Sequence, residues 1–299
     1  MRNFDFLSYK RNVTSQSGED GIIEEIIKRF KDKSDKKCCE FGAFDGKSLS
    51  NTYNLITNHD FEGLLIEGNK KRCNEIDKNF PGKKIIKSNS FVNFLEGNTL
   101  DCILEKHNFN KNFDFLSIDV DGNDYHFFES LEKFIPKLIC IEFNPTIPNE
   151  VNFVQKKDMN VNQGSSGKSL IDLAVKKNYF PIASTDCNLF FIHNLFKNLI
   201  TEENNFDINK LLMNNNKNYV FVGFDGTVFT SEKLKLHWHG ISDVKISALP
   251  FFLNKYPNNY NFLVKIIFLI YLSYKEFFFF RKKIFQKKTY RTLYNFLFK

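Results

Sequence analysis

Four short apolar runs in this chain each carry a carboxylate at or next to the last position. They are Lys37–Phe41 with Glu40, Gly63–Glu67, Phe113–Asp119 and Leu138–Glu142. Runs this apolar suit strands that are covered on both faces, which is the situation in a parallel sheet. Apolar residues recur at helical spacing between them, as at Ile22, Ile23, Ile26, Ile27 and Phe30. Strands alternating with helices confine the chain to α/β architectures joined by right-handed crossovers. Such sheets bind ligands at the carboxyl ends of their strands, which is where the acids fall.

Strands are expected at 37–41, 63–67, 84–87, 113–119, 138–142, 180–183 and 189–193. Helices are expected at 22–30, 51–58, 70–80, 100–107, 125–134 (stopped by Pro136) and 170–177. Ser17 is placed to cap the first helix, with Asp20 in a role near that of a capping box. The last two strands have too few residues between them for a crossover, so they pair antiparallel. The expected sheet therefore has seven strands and an antiparallel end.

The run Cys38-Cys39-Glu40-Phe41-Gly42-Ala43-Phe44-Asp45-Gly46 reads as a buried strand ending in a glycine-rich turn. Gly42 accommodates positive φ or the close approach of a ligand. Glu67, at the end of the next strand, is placed to take ribose hydroxyls. Phe44 stands where a dinucleotide fingerprint has its middle glycine, which leaves less room for a pyrophosphate. The turn suits a nucleoside without phosphates, such as S-adenosylmethionine (SAM). Asp119 and Asp121 end the fourth strand, and Glu142 and Asn144 the fifth. In one reading Asp119 contacts a methionine amino group and Asp121 or Glu142 serves as base. In another, Asp119, Asp121, Glu142 and Asn144 form the oxygen set that Mg²⁺ takes. In a third, Asp121–Asp124 is a turn that caps the next helix.

Several motifs occur together in order: Ser15-Gln16-Ser17-Gly18-Glu19-Asp20, Glu40-Phe41-Gly42-Ala43, Leu65-Ile66-Glu67-Gly68-Asn69, Ser117-Ile118-Asp119-Val120-Asp121-Gly122-Asn123-Asp124-Tyr125 and Ile141-Glu142-Phe143-Asn144-Pro145. Together they resemble the FkbM-like SAM-dependent methyltransferases. The resemblance implies the class I methyltransferase (Rossmann-like) fold over about residues 12–200. It implies Gln16, Glu40, Gly42, Ala43, Glu67 and Asp119 at the cofactor, and Asp121 and Glu142 in catalysis. Two positions depart from the family pattern: Glu40 where many members have Asp, and Asp45 where Asn is common. The implied reaction is methylation, most simply on an oxygen of a sugar, glycan or other small metabolite. A nicotinamide-dependent oxidoreductase would use a similar sheet, but Phe44 and the antiparallel end argue against it. A non-catalytic membrane-surface adaptor on the same fold is a further alternative.

The net charge of +7 is concentrated at one end. Residues 255–299 hold ten Lys or Arg against one acid, a net +9, so the other 254 residues sum to −2. A near-neutral body argues against nucleic acid as its partner, and a basic, aromatic tail points to an anionic surface such as a membrane. The chain thus divides into 1–200, an extension 201–254 with a hairpin at 219–229, and the tail 255–299. The six cysteines form no Cys-x-x-Cys and suit free thiols in a reducing compartment. No signal peptide is read at the N-terminus, and the expected location is the cytoplasm, at the cytoplasmic face of a membrane where the tail engages one. Gly164–Ser169 imitates a phosphate loop with the wrong spacing, and is expected to be a loop before a helix. His126 reads as a helix-surface or core histidine, and His237-Trp238-His239 as an exposed turn.

Overall fold

The computed structural model describes residues 6–212, 220–223, 228–230, 234–236, 241–244 and 260–285. The chain separates into two compact units, residues 1–217 and 218–299. In the first, the strands are β1 (Lys37–Phe41), β2 (Glu62–Ile66), β3 (Ile85–Ser88), β4 (Phe115–Ile118), β5 (Leu138–Glu142), β6 (Tyr179–Ser184) and β7 (Asn188–His193). The helices are α1 (Glu19–Phe30), α2 (Tyr53–Asn58), α3 (Lys70–Asn79), α4 (Leu100–Lys106), α5 (Asp124–Ser130), α6 (Gly167–Lys176) and the short α7 (Ile208–Leu211). The sheet order is β3-β2-β1-β4-β5-β7-β6, with β7 antiparallel to both its neighbours and the other pairings parallel. That order, with its one reversed strand, is the class I methyltransferase arrangement.

Period-two alternation sorts the strand side chains into two cores. Cys39, Phe41, Leu64, Ile66, Leu116, Ile118, Ile139 and Ile141 face α4, α5 and α6. Cys38, Leu65, Phe115, Leu138, Cys140 and Phe190 face α1, α2 and α3. Helices covering both faces explain why the central strands are apolar throughout. Both edges suit their positions. Pro181 lies in the outermost strand β6, beside a register shift, where a missing N–H is tolerated. β3 is only four residues long. All six cysteines are free.

The first helix departs from expectation at its start. Its N-cap is Gly18, not Ser17. Ser15 and Asp20 make the reciprocal exchange instead: Asp20 N–H donates to Ser15 Oγ, and Ser15 N–H to Asp20 Oδ2. The same oxygen also accepts from the N–H groups of Val13 and Thr14, so one carboxylate folds the whole entry arm. The helix after β4 stops at Ser130, earlier than the expected 134, because Leu131 is already extended. The first unit also continues past 200: Ile200 and Leu212 are buried in its cores, and Asn149 Nδ2 donates to the Leu212 carbonyl.

In the second unit, β8 (Val220–Val222) and β9 (Val228–Thr230) pair antiparallel, as the hairpin reading requires. The turn residues 224–227 lie outside the described residues. A second pair, β10 (Leu234–Leu236) with β11 (Ile241–Val244), has no counterpart in the sequence reading, and His237-Trp238-His239 between them lie outside the described residues. α8 (Phe262–Phe285) runs for 24 residues. Among the described residues, no helix is long and apolar enough to cross a membrane.

At the amino end of the sheet, Lys137 Nζ lies 2.6 Å from Asp114 Oδ1, both side chains buried. Asp114 also accepts from the N–H groups of Asp35 and Lys36, joining the start of β1 to β5. Removing one member of a buried pair strands the other. Lys137→Met is expected to lower stability by about 3–5 kcal/mol, read as a lower urea midpoint at unchanged slope. A loss under about 1 kcal/mol would place the pair among ordinary surface contacts.

Candidate functional site

The site is assembled where β1 and β4 end. Phe41 pairs with Ile118, so Gly42 and Asp119 are the next residues out on adjacent strands. Gly42 has φ +88, and a Cβ there would sit 1.7 Å from the Asp119 carbonyl oxygen. Glycine is therefore required before any ligand is considered. Gly42 N–H and Ala43 N–H both donate to the Ile66 carbonyl, at 3.2 and 3.1 Å, which pins the turn to the end of β2. Phe44 then turns through φ +50 and donates its N–H to Glu67 Oε2 at 2.8 Å. The glycine turn and the β2 acid, separate in sequence, are thus directly bonded. Glu67 Oε1 accepts from Asn69 N–H, and each oxygen retains a second lone pair. The Phe44 ring is partly exposed and carries the Arg72 guanidinium at 4.1 Å from its centroid.

Glu40 has a different place from the one expected. It is inside the ladder, opposite Leu65 and Ser117, and is 4 % exposed. Its carboxylate accepts from Ser50 Oγ at 2.6 Å, Thr52 Oγ1 at 2.7 Å and Asn51 N–H at 2.7 Å. Burial pushes its pKa up to about 7 although those donors oppose the shift. Glu40 positions the loop that follows the glycine turn, and its side chain is not presented to a ligand. Ala43, likewise buried, contributes backbone geometry. Gln16 is exposed on the N-terminal arm, which Thr14 Oγ1 ties to the Ser50 carbonyl. Sequence reasoning missed Ser50, Asn51 and Thr52. The signal was there: an acid inside an apolar strand needs donors, and three consecutive donor-bearing residues follow.

Asp119, Asp121 and Glu142 converge as expected, with one oxygen from each within 4.8 Å of the others. Asp119 and Glu142 are half-buried, and Asp121 is exposed at φ +55. Asp124 holds this turn by accepting from Val120 N–H and Gly122 N–H, each at 2.9 Å. Asp124 thus closes the turn before α5, whereas the helix-capping reading is not met: the N-cap residue Asn123 makes no side-chain cap bond. Burial, then Asp124 and Asp121, push Asp119 up to about 8. Burial, then Asp119, Asp124 and Asp121, push Glu142 well above the usual carboxylate range. The crowding of such a trio is relieved by protonation or by a positive partner such as an ammonium group or a divalent cation. Asn144 is not part of it: its Nδ2 donates to the Gln163 carbonyl, and its Oδ1 accepts from Thr146.

The loop from β5 to α6 borders the cluster and is held by α5. His126 Nε2 lies 2.9 Å from the Gln155 carbonyl, which makes it the protonated nitrogen of a buried, structural histidine. Asn123 Nδ2 donates to the Asp158 carbonyl. Gly164–Ser169 is a helix start, with Ser166 accepting from Ser169 N–H.

Residues 94–179, which include all three acids, match the family model for the methyltransferase FkbM domain. Over that segment the chain is similar to the methyltransferase FkbM domain. Solved structures similar to it include a SAM-dependent methyltransferase from Aquifex aeolicus, 13% identical, covering 63% of this chain and 97% of that one at a TM-score of 0.35. Another is an O-methyltransferase from Bacillus cereus in complex with SAH, 13% identical, covering 62% and 86% at a TM-score of 0.35. A third is a glycopeptide N-methyltransferase complexed with SAM, 10% identical, covering 56% and 85% at a TM-score of 0.30. No curated protein matches the sequence. The FkbM match spans α4 to the start of β6, so it falls on the half of the sheet that holds the acids, while the glycine turn lies N-terminal to it.

The acid trio sets a pH signature. Folded Asp119 keeps its proton to about pH 8, whereas the unfolded side chain releases it near its ordinary value of 3.8. Stability linked to this group is therefore full below that value and is lost as pH rises towards 8. Asp119→Asn is expected to raise the melting temperature at pH 8.5 by roughly 2–4 °C or more, and by less at pH 5. An equal shift at both values would mean that burial and the neighbouring acids do not hold the Asp119 carboxyl above its ordinary range.

Proposed function

We propose that this methyltransferase uses SAM and methylates an oxygen of a sugar or other small hydroxylated metabolite. The observation that carries this reading is the convergence of Asp119, Asp121 and Glu142 beside the Gly42 turn, which Phe44 bonds to Glu67.

The residues fit the cofactor on chemical grounds. A crowded acidic trio suits a ligand that brings an ammonium group and a sulfonium. Glu67, half-buried with spare lone pairs, suits a ribose diol. Phe44 in the glycine turn suits a nucleoside that lacks a pyrophosphate. SAM, when bound, supplies an electrophilic methyl group. Asp119 would hold the amino end, Glu67 the ribose, and the Gly42 turn the approach between them.

Glu142 and Asp121 carry the acid–base chemistry. A hydroxyl acceptor must lose its proton, and a carboxylate with a raised pKa is a stronger base than an ordinary one. Ionised beside a cationic ligand, Glu142 answers that description and would take the proton. Asp121, exposed at the rim, accepts a hydrogen bond from the acceptor and orients it. A neutral amine acceptor would not call for a base in the same way, which favours oxygen.

Isothermal titration with SAM tests the assignment. Micromolar-range binding is expected, weakened at least about tenfold, or 1.4 kcal/mol, by Glu67→Ala. Absence of binding, or indifference to that substitution, would overturn the reading. Gly42→Val is not a clean test, because its Cβ would collide with the Asp119 carbonyl whether or not a ligand binds. A cationic ligand favours ionised Asp119, so affinity should rise by up to about tenfold per pH unit between pH 6 and 8. Titrations in two buffers of different ionisation enthalpy should show proton release on binding; a pH-independent affinity with no release would remove Asp119 from the site.

A further inference from the structure

Asn261 starts α8 by accepting from Val264 N–H with its side chain and from Lys265 N–H with its carbonyl. Beyond that cap the helix presents large apolar side chains to the outside. Phe262 is 81% exposed, Leu263 66%, Leu269 62%, Ile270 64% and Tyr274 63%. At 100° per residue these five positions fall within an arc of about 140°, one exposed face of the helix. A helix packed on a domain surface buries one face and shows a polar one. This helix is apolar on nearly every side over Phe262–Tyr274, so a water-facing role leaves it unexplained.

Length, charge and sequence order narrow what covers it. At 1.5 Å per residue, Phe262–Tyr274 is about 20 Å long, short of the roughly 30 Å hydrocarbon core of a bilayer. Lys265 interrupts it near its start, and no described helix meets the requirements for crossing a membrane. The rest of the helix sequence contains Lys275, Arg281, Lys282 and Lys283 against Glu276 alone. Residues 255–299 together carry a net +9. Two such tails repel each other, which disfavours a second copy as the cover. An apolar helix of sub-spanning length that runs into a basic segment fits an anionic lipid surface, where rings and aliphatic side chains enter the headgroup boundary and cations meet the phosphates.

We infer that α8 docks this enzyme peripherally on an anionic lipid bilayer, through the exposed apolar face of Phe262–Tyr274 and the basic residues that follow.

Co-sedimentation of the full chain with vesicles tests this. The vesicles are phosphatidylcholine alone, or phosphatidylcholine mixed with phosphatidylglycerol. The expected result is pelleting with the mixed vesicles, at least about fivefold weaker with the neutral ones, and weakened again by high salt, which screens exposed charges. Ile270→Asp should release the protein from both kinds of vesicle. The pair Lys282→Glu and Lys283→Glu should remove the preference for the anionic kind. Circular dichroism checks that each variant is folded. If Ile270→Asp fails that check, the charge pair and the salt series on the unaltered chain still decide. Recovery in the supernatant with both vesicles would overturn the inference, as would equal, salt-independent pelleting with both. Self-association without vesicles, abolished by Ile270→Asp in sedimentation velocity, would also overturn it by assigning the face to a second copy.

Discussion

The crevice depends on an approach between two strand ends that leaves no room for a methyl group. Gly42 and the Asp119 carbonyl lie so close that any Cβ at 42 would overlap the oxygen. That contact sets the end of β1 against the end of β4. Everything that follows uses it: the turn bends back over β2, Phe44 reaches Glu67, and Asp119 is delivered next to the acid that ends β5. A residue usually read as a ligand-binding glycine is, in this chain, first a packing requirement between neighbouring strands.

The acids around this point fall into two groups that differ in what surrounds them. Glu40, Asp20 and Glu19 are buried but are met by donors: Ser50, Asn51 and Thr52 for Glu40, three consecutive backbone N–H groups for Asp20, and Ser17 N–H, Thr185 and Asn188 for Glu19. These carboxylates fasten loops. Asp119 and Glu142 have acids as the neighbours that act on them, which adds to the effect of burial where hydrogen bonds would oppose it. Carboxyls whose protonation is favoured by burial and by one another, in a fold that meets three other acids with hydrogen-bond donors, distinguish this cluster from the acids that fasten loops.

The order of elements was legible in the sequence because the strands are apolar runs and their turns carry Gly, Pro or acids. The convergence of Asp119, Asp121 and Glu142 was also legible, since adjacent parallel strands bring their carboxyl ends together. The difference between Glu40 and Glu67 was not. Both are acids near the end of an apolar run. Two residues of register separate them: Glu40 pairs with Leu65 and Ser117, one position before its ladder ends, while Glu67 lies just past the last residue of β2. Pairing buries the first and frees the second, and no local signal reports where a ladder stops. His126 was ambiguous for a similar reason, because its partner, the Gln155 carbonyl, lies 29 residues away on a loop without periodicity. The limit of the first unit was set by side chains such as Leu212, whose burial depends on a surface made by distant strands.

The late position of β7 bears on how the chain is made. β7 is inserted between β5 and β6, and Glu19 is fastened to Thr185 and Asn188 across at least 166 positions. A ribosome has therefore delivered every acid of the crevice before the strand that covers one side of β5 exists. Until then Leu138–Glu142 is an open margin of apolar side chains with unpaired N–H and C=O groups, the kind of edge that recruits other chains. Translation closes it only when Asn188–His193 has emerged, so for a nascent copy that margin stays open until the last strand of the seven-stranded sheet arrives.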